Sequence, residues 1–271
     1  MFSVIILTLN EEQDLPHCLA SLHECDDVVV LDSGSIDRTV SIAEAAGARV
    51  VANPFKNFGQ QRTFAQHQIP FLHPWVFHLD ADETMTPELR QECLEAAQRD
   101  DPQIDGYWVA PKMMFQGRWI PHCTDFPAYQ ARYVRAPSFQ FIQVGHGQRE
   151  APDMRLAHLK HNYLHDLSSD GDAGWLAKHR RYAESEAAQH SEINQAVRWP
   201  QLFDRAALAR RRALKRFSFQ LPFRPTARFI YQYFLRRGFL DGAPGLHYCR
   251  LLRQYEQFVD AAMRRRRQNS A

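Results

Sequence analysis

The sequence predicts an α/β fold, a mostly parallel sheet flanked by helices, followed by a basic helical extension. Three observations carry that prediction. Short apolar runs alternate with amphipathic stretches through residues 1–80, the pattern of strands joined by crossover helices. Three of the apolar runs end abruptly in polar loops rich in Asp, Asn, Ser and Glu. Charge is divided unevenly: residues 1–200 hold 17 Lys and Arg against 27 Asp and Glu, and residues 201–271 hold 16 against 4.

Each element has its own signal. Ser3 to Leu9 contains the unbroken Val4-Ile5-Ile6-Leu7 and reads as a buried strand, and Glu12 to Leu22 reads as a helix. Asp27 to Leu31 is a second strand, and Asp37 to Ala46 a second helix with Asp37 near its N-terminus. Arg49 to Ala52 is a short third strand, Gln60 to Gln68 a helix, and Trp75 to Leu79 a fourth strand.

Composition bounds the rest. With 271 residues, 45% hydrophobic and 24% charged, the chain suits one large domain or a domain with an appendage, and disorder of the whole chain is excluded. The apolar run after Ser3 stops at Thr8, too short for a secretory leader, and nothing approaches the roughly 18 apolar residues of a membrane span. The five cysteines (Cys18, Cys25, Cys93, Cys123 and Cys249) are scattered and never spaced CxxC, so a reducing, cytoplasmic setting is expected.

In a parallel sheet, ligands sit beyond the carboxyl ends of the strands. The loops Thr8-Leu9-Asn10-Glu11-Glu12, Asp32-Ser33-Gly34-Ser35 and Asp80-Ala81-Asp82-Glu83 are therefore expected on one rim. Asp32 and Asp37 read either as turn and N-cap residues or as ligand contacts. Asp32 follows five apolar residues, and a carboxylate buried on one side needs dedicated donors. In Asp80-Ala81-Asp82, two carboxylates two residues apart at a strand end point the same way and suit a hard divalent cation that also holds phosphate oxygens.

On these residues the chain resembles the family 2 glycosyltransferases of the GT-A fold, which is Rossmann-like. The matching stretches, in order, are VIILTLNEE (4–12), VVVLDSGSIDRT (28–39), FGQQRTFA (58–65), WVFHLDADE (75–83) and GQRE (147–150). FQGRWIPH (115–122), AYQARYVR (128–135), WLAKHRRYAESEA (175–187) and YFLRRGFLDGAPGLHY (233–248) are similar to landmarks of the WaaE-type lipopolysaccharide-core and exopolysaccharide glucosyltransferases. The resemblance implies that Thr8, Asn10, Glu11 and Asp32 hold the nucleoside of a UDP-sugar, with Asp32 facing the base. It places Gln61 and Arg62 along the nucleotide, Asp80 on the ribose or behind the metal, and Asp82 on Mg²⁺ or Mn²⁺. Glu150 takes the position of the general base of an inverting enzyme. His161, with His165 in reserve, matches the late histidine that completes the metal shell.

Alternatives stand beside this reading. His158, His161 and His165, spaced three and four apart, would share a face if helical and offer a zinc site. The chain could instead serve a polyprenyl-phosphate acceptor, which needs no base, or keep the fold without catalysis. Residues 204–217 and 224–237 mix Arg with Phe, Tyr and Leu and read as an interfacial helix pair on an anionic membrane surface. Nothing there resembles a nucleic-acid fold, so no nucleic-acid partner is expected. The expected division is a nucleotide-sugar-binding core at 1–150, a helical completion of the acceptor side at 151–200 and a basic amphipathic tail at 201–271. The expected reaction is transfer of a hexose, taken as glucose, to a lipid-linked or lipopolysaccharide or exopolysaccharide saccharide by a peripheral enzyme on the inner membrane face.

Overall fold

The structure, a computed structural model, describes residues 1–144, 147–169, 171–192 and 223–269. Two compact units divide it: the first joins Met1–Gly117 to Asp125–Ser169, the second joins Arg118–Thr124 to the described residues after Ser169.

The first unit is built on β1 (Ser3–Thr8), β2 (Val28–Asp32), β3 (Arg49–Ala52) and β4 (Trp75–Asp80), joined by α1 (Leu15–Ala20), α2 (Thr39–Ala45) and α3 (Phe58–Gln68). All seven lie where the hydrophobic pattern put them, with ends moved by up to three residues. The side chains of β1 alternate as a strand buried on both faces requires. Val4 and Ile6 join a cluster with Leu15, Cys18 and Ala43 from α1 and α2, while Ile5 and Leu7 join Ala65 and Ile69 at α3. Asn57 caps α3 by accepting from the Gln60 N–H at 2.8 Å.

Past Asp80 the sequence pattern is weaker and the strands are shorter. They are β5 (Glu83–Thr84), β6 (Gly106–Val109), β7 (Pro111–Phe115), β8 (Arg118–Trp119), β9 (Gln130–Arg135), β10 (Phe141–Val144), β11 (Gly147–Glu150), β12 (Leu156–His158) and β13 (Tyr163–Asp166), with α4 (Pro87–Arg99) before β6. The main sheet has the order β12-β6-β9-β4-β1-β2-β3. Its strands run parallel except β9, which is antiparallel to β4 and β6. In a small second sheet, β13 pairs antiparallel with β5 and parallel with β7. A hairpin of β10 and β11 packs by α3, where the Gly59 N–H donates to Gln143 Oε1 at 2.9 Å. A Cβ on Gly59 would stand 2.9 Å from the Gln143 backbone nitrogen, so the close approach requires glycine there.

One expectation changes. Residues 151–169, expected as helical, contribute the strands β12 and β13 and belong to the first unit, so the core extends past 150 to Ser169. The tail segment 204–217 lies outside the described residues. In the second unit, α5 (Gly171–Glu192) is followed by α6 (Arg224–Ile230), a π-helical turn (Tyr231–Leu235), a 3₁₀ turn (Gly238–Asp241) and α7 (Gly242–Asn269).

Candidate active site at the rim of the parallel sheet

The strand register aligns the polar loops. Leu7 lies opposite Asp80, Thr8 opposite Asp32 and Asp32 opposite Ala52. The carboxyl ends of β1, β2 and β4 thus share one rim. Connections run outward from β1 through β2 to β3 and then return to place β4 on the other side of β1, a topological switch point where a crevice opens between the βα loops.

The loops after β1 and β2 are tied to each other by side-chain bonds. Asn10, in the left-handed region at φ 57°, donates its N–H to Ser35 Oγ at 2.8 Å and accepts from the Ile36 N–H at 2.9 Å. The Glu11 N–H donates to Thr39 Oγ1 at 2.7 Å, and the Glu12 N–H to Asp37 Oδ2 at 3.2 Å. Asp37 accepts from the Thr39 N–H and hydroxyl, so it closes the turn into α2 rather than reaching a ligand.

Asp32, expected to face the base, is held by donors within the rim. It is buried, and both oxygens are occupied within the rim. Oδ2 accepts from the Gly34 and Ser35 N–H groups at 2.9 and 2.8 Å, and Oδ1 from the Thr8 and Ser35 hydroxyls at 3.0 and 2.5 Å. Burial pushes its carboxyl up, but these donors outweigh it and hold Asp32 below the ordinary value. Its donors are therefore its own turn and the neighbouring end of β1. Thr8 likewise spends its hydroxyl on Asp32. Gln61, also buried, joins strand ends: its amide donates to the Asn53 carbonyl at 3.0 Å and to Ser33 Oγ at 3.3 Å, and its Oε1 accepts from Asn53 Nδ2 at 2.8 Å. Ser33, half-buried between Asp32 and Gly34, is the rim residue the sequence reading left without a role.

Under the third loop lies a buried charge cluster. Asp80 Oδ1 accepts from Arg62 Nη2 at 2.8 Å, and Oδ2 from Arg132 Nη2 at 3.0 Å. Arg132 Nη2 also donates to Glu83 Oε1 at 2.8 Å, while Glu83 Oε2 accepts the Asp80 N–H at 2.8 Å. Arg62, expected along the nucleotide, is fully buried beneath the rim against Asp80. Burial pushes Asp80 up, but Arg132 and Arg62 prevail and hold it far below the carboxylate range. Burial drives Glu83 up to about 7 against the pull of Arg132. Arg132 and Glu83 were missed. Glu83 stands in the quoted Asp-Ala-Asp-Glu run, but nothing local marks it as buried, and Arg132 arrives from β9, far along the chain.

Asp82 projects from this clamped loop and is partly exposed. Its Oδ2 lies 3.2 Å from His165 Nε2, brought in by β13. Burial lowers His165, but the carboxylates of Asp82, Glu83 and Asp80 outweigh it and raise the imidazole to about 9. His161, the expected partner of the metal, is instead half-exposed on the turn before β13, with its N–H and Nδ1 on Glu92 at 2.9 and 3.0 Å. The three-histidine zinc alternative fails on period: the segment is strand and turn, not helix. His158 packs on Trp108 and Tyr129, His161 on Glu92 and His165 on Asp82.

A hard carboxylate next to an imidazole fits a divalent cation of the Mg²⁺ or Mn²⁺ type, which takes few protein ligands and fills its shell with phosphate oxygens and water. Among the described residues no group of three or more His, Cys, Asp or Glu is arranged to hold a metal ion, and Asp82 and His165 stand together as two such donors.

Glu150 lies at the end of β11 and lines a cavity of about 580 Å³ with Gln130, Gln148 and Arg149. Its other wall residues include the ring cluster Trp108, Tyr129 and His158, in which His158 stands 4.9 Å from Trp108 and 4.4 Å from Tyr129. The cavity combines apolar ring faces, amide groups and a carboxylate, the surfaces that bind a polyhydroxylated ring.

Comparison with known proteins places the fold and the family. LpsC, a lipopolysaccharide core biosynthesis glycosyltransferase of Rhizobium meliloti, is 36% identical over 113 residues, 40% of this chain and 41% of that protein. An uncharacterized glycosyltransferase of Rickettsia typhi is 32% identical over 118 residues, 42% of this chain and 39% of its own. The chain thus covers about two fifths of the length of these relatives. The mannosyltransferase PcManGT of Pyrobaculum calidifontis, solved in complex with GDP-Man and Mn²⁺, shares the fold at a TM-score of 0.54 and 15% identity, over 97% of this chain and 86% of that one. The sequence profile of glycosyl transferase family 2 matches residues 3–148, and with a GT-A fold over the same span the chain belongs to that family.

Proposed function

We propose that the chain is an inverting hexosyltransferase that moves a sugar, glucose by its subfamily resemblance, from a UDP-sugar to a saccharide acceptor of the lipid-linked, lipopolysaccharide or exopolysaccharide kind at the cytoplasmic face of the membrane. The observation that carries this reading is the Asp82–His165 pair at the switch point, with Asp82 held on a loop that Arg62, Arg132 and Glu83 clamp from below. Asp82 and His165 would hold the cation, and Asp80 keeps the loop in place. When bound, the cation stabilises the negative charge that develops on the departing diphosphate. The Thr8–Glu11 loop and Ser33 bound the nucleoside side of the crevice. Glu150 accepts the proton of the acceptor hydroxyl as that oxygen attacks the anomeric carbon, and a single displacement of this type inverts the configuration.

The relatives support the reading within limits: one is named for lipopolysaccharide core biosynthesis, and a protein of the same fold was solved with a nucleotide sugar and Mn²⁺. The test is UDP release from a panel of UDP-sugars with Mn²⁺, using the wild type and Glu150→Gln. Turnover falling about 10²- to 10⁴-fold with UDP binding retained is the expected result. Unchanged turnover in the variant would assign a phosphate acceptor, and no turnover of any donor by the wild type would leave a catalytically silent member of the fold.

A further inference from the structure

The segment that opens the second unit after the undescribed residues is amphipathic with its sides exchanged. Along α6 and the π-helical turn, Arg224 and Gln232 point inward and are buried, with Arg228 half-buried between them. Two of them find partners there: Arg224 Nη2 pairs with Glu256 at 2.8 Å, and the Gln232 amide donates to the Cys123 carbonyl. One turn on, Arg236 donates to the Thr124 carbonyl at 2.6 Å.

The outward stripe is apolar. Phe223, Ile230, Tyr231, Phe234 and Leu235 recur at spacings of three, four and seven, and all are exposed: Phe223 is 81%, Leu235 73% and Phe234 55% accessible. Phe239 and Leu240 extend the stripe onto the 3₁₀ turn. A helix in water turns its apolar face to the core and its polar face to solvent. This one does the reverse, and a contiguous apolar stripe of such length marks a surface that is covered in use.

Charge decides what covers it. No Asp or Glu occurs between residues 223 and 240, while Arg228 and Arg237 flank the stripe. The next carboxylate, Asp241, is buried and accepts the His122 and Cys123 N–H groups at 3.0 and 2.8 Å. The region from 201 onward carries 16 basic against 4 acidic residues. A second copy of the chain would set like charges against each other. An anionic bilayer complements them, with arginines at the headgroups and aromatics at the acyl boundary.

We infer that residues 223–240 insert as an in-plane anchor into an anionic lipid surface. The inference stands on this stripe alone and is independent of the transferase chemistry. No helix among the described residues is long and apolar enough to cross a membrane, so the anchor lies on the bilayer rather than through it.

The test is co-sedimentation of the full chain with phosphatidylcholine vesicles, with and without phosphatidylglycerol, beside Phe234→Ser/Leu235→Ser, which alters only exposed side chains. The wild type should bind the phosphatidylglycerol vesicles, retain part of that binding in high salt, and lose about tenfold or more in the variant. Equal binding of the variant would overturn the inference. So would a wild type that ignores both vesicles yet is dimeric by light scattering and becomes monomeric in the variant, because a second copy would then be the occupant. UDP titration of the same samples separates the two readings: the variant should bind UDP as the wild type does, and a wild type that binds vesicles but not UDP would overturn the transferase reading alone.

Discussion

Arg132 Nη2 stands 3.0 Å from Asp80 Oδ2, so the antiparallel strand β9 delivers a buried cation to the carboxylate that opens the Asp-Ala-Asp stretch. The same nitrogen reaches Glu83, and Arg62 holds the other Asp80 oxygen. The loop carrying Asp82 is therefore fixed from below by the buried Arg62, Arg132 and Glu83, with Asp80 half-buried between them.

Removing that cation should be costly. Arg132→Met leaves Asp80 and Glu83 buried with a single guanidinium between them, and breaking a buried pair from one side costs about 3–5 kcal/mol. Urea unfolding of variant and wild type measures it. A loss under 1 kcal/mol would show that water or a rearranged Arg62 replaces Arg132.

Asp82→Ala should abolish the Mn²⁺ dependence of UDP binding and leave the fold intact, because Asp82 is partly exposed and carries none of the buried clamp. Isothermal titration with and without Mn²⁺ reads this directly. Equal metal dependence in both proteins would remove Asp82 from the metal.

The two histidines separate cleanly. His165→Ala should weaken Mn²⁺-dependent UDP binding by at least the effect of a lost outer-sphere partner, about tenfold. His161→Ala should leave it unchanged and lose only the exposed contact with Glu92. The reverse pattern would restore the assignment made from the sequence.

Asp32→Asn replaces an acceptor of four donors with a group that is itself half donor. The turn then loses hydrogen bonds in a buried position, and stability should fall by about 1–3 kcal/mol with or without UDP. If only UDP affinity falls and the melting temperature holds, Asp32 faces the base after all.

Asp27 supplies a pH signature at the opposite end of the sheet. Burial pushes it up, but bonds from the Ser3 hydroxyl, the Leu72 N–H and Arg49 outweigh that and hold its carboxyl below the ordinary 3.8. A carboxyl with a lower folded than unfolded value contributes stability that is complete above the unfolded value and is lost as pH falls through the folded one. The stability gap between wild type and Asp27→Asn should therefore be flat from neutral pH down to about 4 and shrink below it. A gap that widens in acid would contradict the assignment.

The first half of the fold was legible because Val4-Ile5-Ile6-Leu7, Val28-Val29-Val30-Leu31 and Trp75-Val76-Phe77-His78-Leu79 are apolar on both faces, which only a covered parallel sheet demands. The later strands were not, since Gly147–Glu150 and Leu156–His158 are short and carry polar side chains on edges and hairpins. The position of Asp82 on the rim could be read from local sequence because a strand end is a local property. That of Arg62 could not, because its burial depends on Asp80 and its neighbours in space. The different settings of His161 and His165 follow from backbone period: in a strand, His165 and Tyr163 share a face, whereas the turn sends His161 to Glu92 on α4.

The cross-bonded loops after β1 and β2 have a consequence for how this rim opens. Neither stretch has a ladder of its own; besides the turn bonds that Asp32 and Asp37 accept, each relies on donors and acceptors of the other, such as Asn10 with Ser35 and Ile36, and Glu11 with Thr39. Fraying one strips the partners from its neighbour, so the two segments form a single cooperative opening unit. In native-state hydrogen exchange the amides of Asn10, Glu11 and Ile36 should share one opening free energy, and Ser35→Ala should lower all three together.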